Sequence, residues 1–229
     1  YTAEWQIEAE QHEIKRHTLE VLNKQWAKSS LLLPWLTLYQ IHSATFESGV
    51  LENTEVLSRL AQLKSEGVAI GLSVSGPQQA EVIEAAMLER VDGVHLFDTV
   101  QATFNVLEQS AGQVLRQVAE AGVGVIVKEA LANGRLTPRN RREGFVETKA
   151  ILEGIMQELN IKMDMLALAF VLHQPWAQVV LSGAAVEAHL KSNLAAANVD
   201  LDTAQLAQLA TLSQKCEEYW TLRKGLAWN

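Results

Sequence analysis

The chain has 229 residues, of which 48% are hydrophobic and 20% charged, a balance too apolar for a disordered chain and ordinary for a globular one. Its 19 Lys and Arg stand against 27 Asp and Glu, a net charge of −8, which leaves no general electrostatic footprint for a phosphate backbone and argues against nucleic acid as a partner. No apolar run approaches the roughly 18–20 residues of a membrane span, the longest being Met165–Leu172 with His173, Gln174 and Pro175 close behind.

In chain order, an amphipathic helix on Leu19, Leu22 and Trp26 precedes a first strand at Leu36–Ile41. A helix on Val56, Leu57, Leu60 and Leu63 follows, stopped by Gly67, and leads into a second strand at Val68–Leu72. Val82, Ile83, Ala86 and Met87 mark the next helix, and Val94–Val100 the third strand. Val114, Leu115, Val118 and Ala121 share another helical face, closed by Gly122 just before a fourth strand at Val123–Val127. Two helices are predicted next, one on Ile151, Leu152, Ile155, Met156 and Leu159 and one over Met165–Leu172. A fifth strand, Val179–Leu181, and terminal helices complete the series.

These apolar runs are continuous and not alternating, as strands buried on both faces require. Strands that alternate with helices imply parallel β-α units with right-handed crossovers. No linker or composition shift divides the chain, so one domain over 1–229 is expected. Two α/β architectures fit, an open doubly wound sheet and part of a barrel. The open nucleotide-binding sheet carries G-x-G-x-x-G after its first strand, and that spacing is absent here. Barrels place their working residues at the C-terminal ends of the strands. Here polar residues follow the strands in turn: His42 and Ser43, Ser73 and Ser75, Gln101, Lys128 and Glu129, then Ser182. That distribution favours the barrel.

The same strand ends carry a resemblance. Leu36-Thr-Leu-Tyr-Gln-Ile-His42, Gly71-Leu-Ser-Val-Ser75, Phe97-Asp-Thr-Val-Gln-Ala-Thr-Phe-Asn105, Lys128-Glu-Ala-Leu-Ala-Asn-Gly-Arg-Leu-Thr137, Leu181-Ser-Gly-Ala-Ala185 and His189-Leu-Lys-Ser-Asn193 together resemble the aldo-keto reductase family. The resemblance implies a (β/α)8 TIM barrel of which this chain shows strands four to eight, an incomplete barrel lacking its first three strands. It also implies an oxidoreductase that uses NADPH, or NADH, to reduce a small-molecule carbonyl substrate. Three of the family's four catalytic residues, an aspartate, the proton-donating tyrosine and a lysine, belong to the missing strands, and Tyr1 is not assigned to any of these roles. Five strands cannot close an eight-stranded barrel, so a fragment of a longer protein is expected.

Position by position, His42 resembles the histidine that hydrogen-bonds the substrate carbonyl; the bland alternative is a half-buried histidine satisfied by a neighbouring strand. Ser73 and Gln101 resemble the pair that grips the nicotinamide carboxamide, against ordinary strand-end polarity. Val74 stands where asparagine is frequent, and Asn105 reads as a turn residue. Lys128 replaces an aromatic that stacks on the nicotinamide, and with Glu129 it reads equally as an ion pair holding the strand end. The loop containing Leu131, Gly134 and Arg135 resembles the segment over the coenzyme pyrophosphate, with Arg139, Arg141 and Arg142 adding charge or lying in solvated loop. Ser182, Gly183, Ala184 and Ala185 form a small-residue turn before a helix, where backbone amides can face a phosphate. Gly183 and Ala184 lack the basic and hydroxyl side chains that the family commonly has there. His189 and Ser192-Asn193 stand where an arginine and a Glu-Asn pair meet the adenosine end, so a weakened NADPH preference is expected.

Trp26, Trp35, Trp176, Trp220 and Trp228 read as packing, with a minority role for Trp228 in a substrate pocket. His12 and His17 lack metal-ligand spacing and a third ligand. Cys216, the single cysteine, excludes an internal disulfide and suits a reducing compartment. With a charged opening stretch unlike a signal peptide, a soluble cytoplasmic protein is expected. A second functional reading is a catalytically inactive, coenzyme-binding regulatory subunit.

Overall fold

The computed structural model describes residues 15–140 and 145–226. The described residues divide into two compact units, one up to residue 101 and one from residue 102 onward.

In the first unit, α1 (Leu19–Ser29) begins where Thr18 accepts the Val21 N–H, and it buries Leu22 and Trp26. The Trp26 ring meets Tyr39 edge-on at 5.3 Å. Strand β1 (Leu38–Ala44) follows. Helix α2 (Thr54–Ser65) is capped by Asn53, which accepts the Val56 N–H at 3.2 Å, and turns Val56, Leu57, Leu60 and Leu63 inward. Both caps satisfy helix amides that have no partner inside the helix. Strand β2 (Ala69–Val74) pairs in parallel with β1 from Leu38↔Ala69 to Ile41↔Leu72, then shifts register before Ala44↔Val74. After α3 (Gln79–Leu88) the expected strand at 94–100 does not form as one piece. Arg90–Val91 (β3) and Val94–His95 (β4) make a short antiparallel pair, and β5 begins afresh at Thr99, running to Thr103.

Asp98 breaks that run. Its carboxylate accepts the Ile70 N–H at 2.9 Å and the Lys64 ammonium at 2.7 Å, while Lys64 also donates to the carbonyls of His95 and Leu96. Leu96 and Phe97 are nevertheless buried, so their hydrophobicity reads like a strand although the backbone turns. Beyond the turn, β5 pairs in parallel with β2 through Gly71↔Thr99, Leu72↔Val100 and Ser73↔Gln101. Trp35 corrects the packing expectation: it is 87% exposed, beside Leu31 and Leu32, which are also exposed.

In the second unit, β6 (Gly124–Lys128) and β7 (Val179–Val180) pair in parallel at Ile126↔Val179 and Val127↔Val180. The helices are α4 (Gly112–Glu120), α5 (Val146–Leu159), α6 (Met163–Leu172), α7 (Glu187–Ala195), α8 (Thr203–Ala210) and α9 (Cys216–Lys224). Helix α6 is apolar on nearly every side and buries Met163 and Leu166–Val171, as a helix without a polar face must. Phe104 stacks on Phe170 at 5.9 Å and meets Trp176 edge-on at 4.8 Å. Trp26, Trp176 and Trp220 are therefore packing residues.

Candidate functional site

In the first unit, the C-terminal ends of β1, β2 and β5 lie side by side. Ser73 and Gln101 are direct register partners. At the register shift in β1, Ser43 takes a left-handed φ of 57° and its N–H donates to Ser73 Oγ at 2.8 Å. A non-glycine residue holds that conformation only where its surroundings impose it, and this bond, with both serines buried, is such a constraint. His42, immediately before the bend, has an exposed side chain, and its carbonyl accepts from His17 Nε2 at 2.8 Å. Because a carbonyl can only accept, that His17 nitrogen carries a proton. Three of the predicted residues, His42, Ser73 and Gln101, are thus brought to adjoining strand ends.

Below them, Gly71 lies between Gln40 and Thr99, its partners on either side. Thr99 Oγ1 donates to Gln40 Oε1 at 3.4 Å across the glycine. A Cβ on Gly71 would fall 2.1 Å from Thr99 Oγ1, so only glycine fits.

The second unit has its own polar strand end. Lys128 Nζ donates to Thr103 Oγ1 at 3.1 Å and lies 4.0 Å from Glu129 Oε1. The tighter partner of Glu129 is Arg223 of α9, whose Nη2 donates to Oε1 at 2.6 Å. The Lys128-Glu129 pair read from sequence therefore exists, but a residue that the sequence did not single out dominates it. Asn105 is the turn residue expected: its Oδ1 accepts the N–H groups of Leu107 and Glu108, and its Nδ2 donates to the Glu129 carbonyl and to Tyr219 Oη. Arg135 is 4% exposed; its guanidinium lies 4.2 Å from the Tyr219 ring centroid and donates to Gln214 Oε1 at 3.2 Å. Its charge is thus held inside the unit, against an aromatic face.

Burial, reinforced by the negative charge of Glu129, pushes the Tyr219 phenol up to about 12. The unfolded phenol titrates near 10, so the fold favours the neutral form. The resulting stability is complete below pH 10 and is lost as pH rises through 10 towards 12. Tyr219→Phe removes this dependence. Urea midpoints measured at pH 8 and pH 11 should fall further for the parent than for the variant, and an equal fall in both would refute this role.

Leu131 opens the loop after β6, and Gly134, at φ 84°, has open space where a Cβ would stand. After β7, Gly183 has φ 62°, also with open space, and Ala184 donates its N–H to Ser182 Oγ at 3.3 Å. Ala185 precedes α7, whose N-cap, Val186, gives no side-chain hydrogen bond. His189 lies in the first turn of α7 and is half-buried. Asn193 is buried and donates to the Ser182 carbonyl at 2.7 Å, while Ser192 donates to Asp164 Oδ2 at 2.7 Å. Both of these side chains thus fasten the turn and helix to their own unit. Arg139 is exposed. Tyr1, His12, Arg141, Arg142 and Trp228 lie outside the described residues.

Tyr219, Arg223 and Thr103 escaped the sequence reading. The only local signal was the Lys-Glu pair at a strand end, where a half-buried carboxylate calls for a cation.

Parallel strands in β-α order, with polar residues gathered where the chain leaves them, define an α/β protein of the parallel-barrel class. The sequence model of the aldo/keto reductase family matches residues 33–214, and the chain belongs to that family. The family fold is a (β/α)8 barrel, of which this chain carries five parallel strands: β1, β2, β5, β6 and β7. Among solved structures, the holo form of aldo-keto reductase AKR11C1 from Bacillus halodurans is similar with a TM-score of 0.64 and 21% identity, over 86% of this chain and 66% of that one. The thermostable aldo-keto reductase Tm1743, solved with the inhibitor epalrestat, is similar with a TM-score of 0.59 and 23% identity, over 76% of this chain and 59% of that one. The chain thus spans about two thirds of the length of these structures or less. No helix among the described residues is long and apolar enough to cross a membrane.

Proposed function

We propose that this chain is the coenzyme- and carbonyl-binding part of an NAD(P)H-dependent aldo-keto reductase that reduces aldehydes or ketones to alcohols. The observation that carries the proposal is the adjacency of His42, Ser73 and Gln101 at three neighbouring parallel strand ends. The residues fit a nicotinamide coenzyme. Ser73 accepts from Ser43 through its oxygen, which leaves its hydroxyl proton as a donor to a carboxamide oxygen, and Gln101 beside it offers both donor and acceptor. In the second unit, the open backbone at Gly183 and the α7 N-terminus without a side-chain cap suit a phosphate.

The coenzyme, when bound, supplies the hydride that reduces the carbonyl carbon. The residues of this chain hold and orient. Ser73 and Gln101 would hold the carboxamide of the nicotinamide by its polar edge. His42 aims an imidazole N–H where negative charge grows on the carbonyl oxygen, a donor placed in advance of the charge. Lys128, tethered to Thr103 and Glu129, offers an ammonium and could not stack on a nicotinamide as an aromatic ring would.

Titration of the full-length protein with NADPH and NADH, followed by fluorescence, should show saturable binding that Ser73→Ala and Gln101→Ala each weaken by about fivefold to tenfold, the loss of one hydrogen bond. Reduction of a simple aldehyde should follow. No binding and no turnover would refute the proposal. The second reading, an inactive coenzyme-binding subunit, is favoured by the small side chains at Gly183 and Ala184 and by Lys128, and predicts binding without turnover. We place the protein in the cytoplasm on its composition.

A further inference from the structure

The loop after β6 has an unusual backbone. Glu129, Ala132, Asn133 and Gly134 all have positive φ, at 58°, 48°, 52° and 84°, and three of the four are not glycine. Such conformations persist only where the surroundings over-determine them. Backbone bonds supply part of the constraint: the Ala132 N–H donates to the Glu129 carbonyl at 2.8 Å, and the N–H groups of Gly134 and Leu136 donate to the Leu131 carbonyl.

Helix α9 supplies the rest, at both ends of the loop. At the start, Arg223 donates to Glu129 through Nη2 at 2.6 Å and through Nε at 3.5 Å. At the far end, Tyr219 lies under the Arg135 guanidinium at 4.2 Å. Tyr219 and Arg223 are four residues apart and so share one face of α9. Asn105 links the two contacts, donating both to Tyr219 Oη and to the Glu129 carbonyl. A charge-assisted, forked contact such as Arg223–Glu129 fixes direction as well as distance.

We propose that Arg223, with Tyr219 on the same face of α9, is a positioning residue that clamps the Glu129–Arg135 loop in its left-handed shape and so presents the Leu131–Gly134 backbone to the coenzyme. The proposal rests on the coenzyme-binding reading above. Arg223 acts through Glu129 and does not itself touch the coenzyme.

The test uses the full-length protein with Arg223→Ala, Arg223→Lys and Glu129→Gln. Arg223→Ala should raise the coenzyme Kd about tenfold, equivalent to about 1.4 kcal/mol. Arg223→Lys, which keeps the charge and loses the fork, should recover part of that loss. The KM for the aldehyde should stay within about twofold of the parent, a split that a general loss of structure would not produce. Hydrogen exchange in the coenzyme-free protein should quicken across Leu131–Leu136 and remain unchanged in α4. Glu129→Gln keeps the shape of the side chain, and should show the same pattern in weaker form if Arg223→Ala does not fold. A parent that binds neither NADPH nor NADH overturns the coenzyme reading. A parent that binds, with variants of unchanged Kd and unchanged loop exchange, overturns the clamp alone.

Discussion

His42→Ala in the full-length protein should lower kcat/KM for an aldehyde by about 10²–10³, the scale set by removing one donor from a developing oxyanion. The coenzyme Kd should stay within about twofold, because the proposed grip on the nicotinamide amide is assigned to Ser73 and Gln101 and not to His42. The asymmetry follows from the geometry. Ser73 Oγ is committed to the buried Ser43 N–H at 2.8 Å and stabilises the bend, whereas the His42 side chain is exposed, and the His42 carbonyl that accepts from His17 belongs to the backbone. Truncating the imidazole leaves the Ser43–Ser73 bond of the bend in place, and His42→Ala, a substitution at an exposed position, should unfold within a few degrees of the parent's temperature. His42→Gln, which keeps an N–H donor, should retain more activity than alanine. A His42→Ala enzyme within threefold of the parent would remove the histidine from the reaction.

The second large effect is on stability. Gly71→Ala places a methyl group 2.1 Å from Thr99 Oγ1 and 3.1 Å from Gln40 Cγ. Contact at 2.1 Å cannot be absorbed by rotating the distant end of a long side chain, because Oγ1 sits one bond from the Cβ of a strand residue. Either Thr99 must leave its χ1 rotamer and its bond to Gln40, or β2 or β5 must shift, and overpacking of this kind costs about 3 kcal/mol. For a chain of this size that corresponds to a melting temperature lower by about 6–12 °C. Thr99→Ala deletes the obstructing oxygen and should by itself cost little, since its bond to Gln40 is long at 3.4 Å. The Gly71→Ala/Thr99→Ala double variant should therefore recover most of the loss, a coupling that a double-mutant cycle reads directly. Additive losses would show that the glycine serves some other purpose.

Much of the fold was legible in the sequence because its signals are local. Each apolar run followed by a turn and an amphipathic stretch marks one β-α unit, and four of the five predicted strands formed within a few residues of the predicted place. The exception, Val94–Val100, is instructive. Leu96 and Phe97 are buried without being in a strand, and burial is the only property that hydrophobicity reports. Whether the backbone runs straight there depends on Asp98 finding Ile70 and Lys64, which are distant in sequence. Trp35 departs in the opposite sense: its aromatic bulk predicts core, and the tertiary structure leaves it exposed.

At the candidate site, local pattern is enough to show which polar residues end which strands: His42, Ser73, Gln101 and Lys128 lie at the ends of the apolar runs that carry them. Tertiary structure alone decided who their partners are. Arg223 reaches Glu129 across 94 residues, and Asn105 reaches Tyr219 across 114. No periodicity connects such pairs, because side-chain pattern repeats over a turn or a pleat and carries no information about which distant segment is packed alongside. The left-handed residues at Ser43 and Glu129 have the same origin. Neither residue prefers that conformation, and each is held in it by a hydrogen bond or ion pair from elsewhere in the fold.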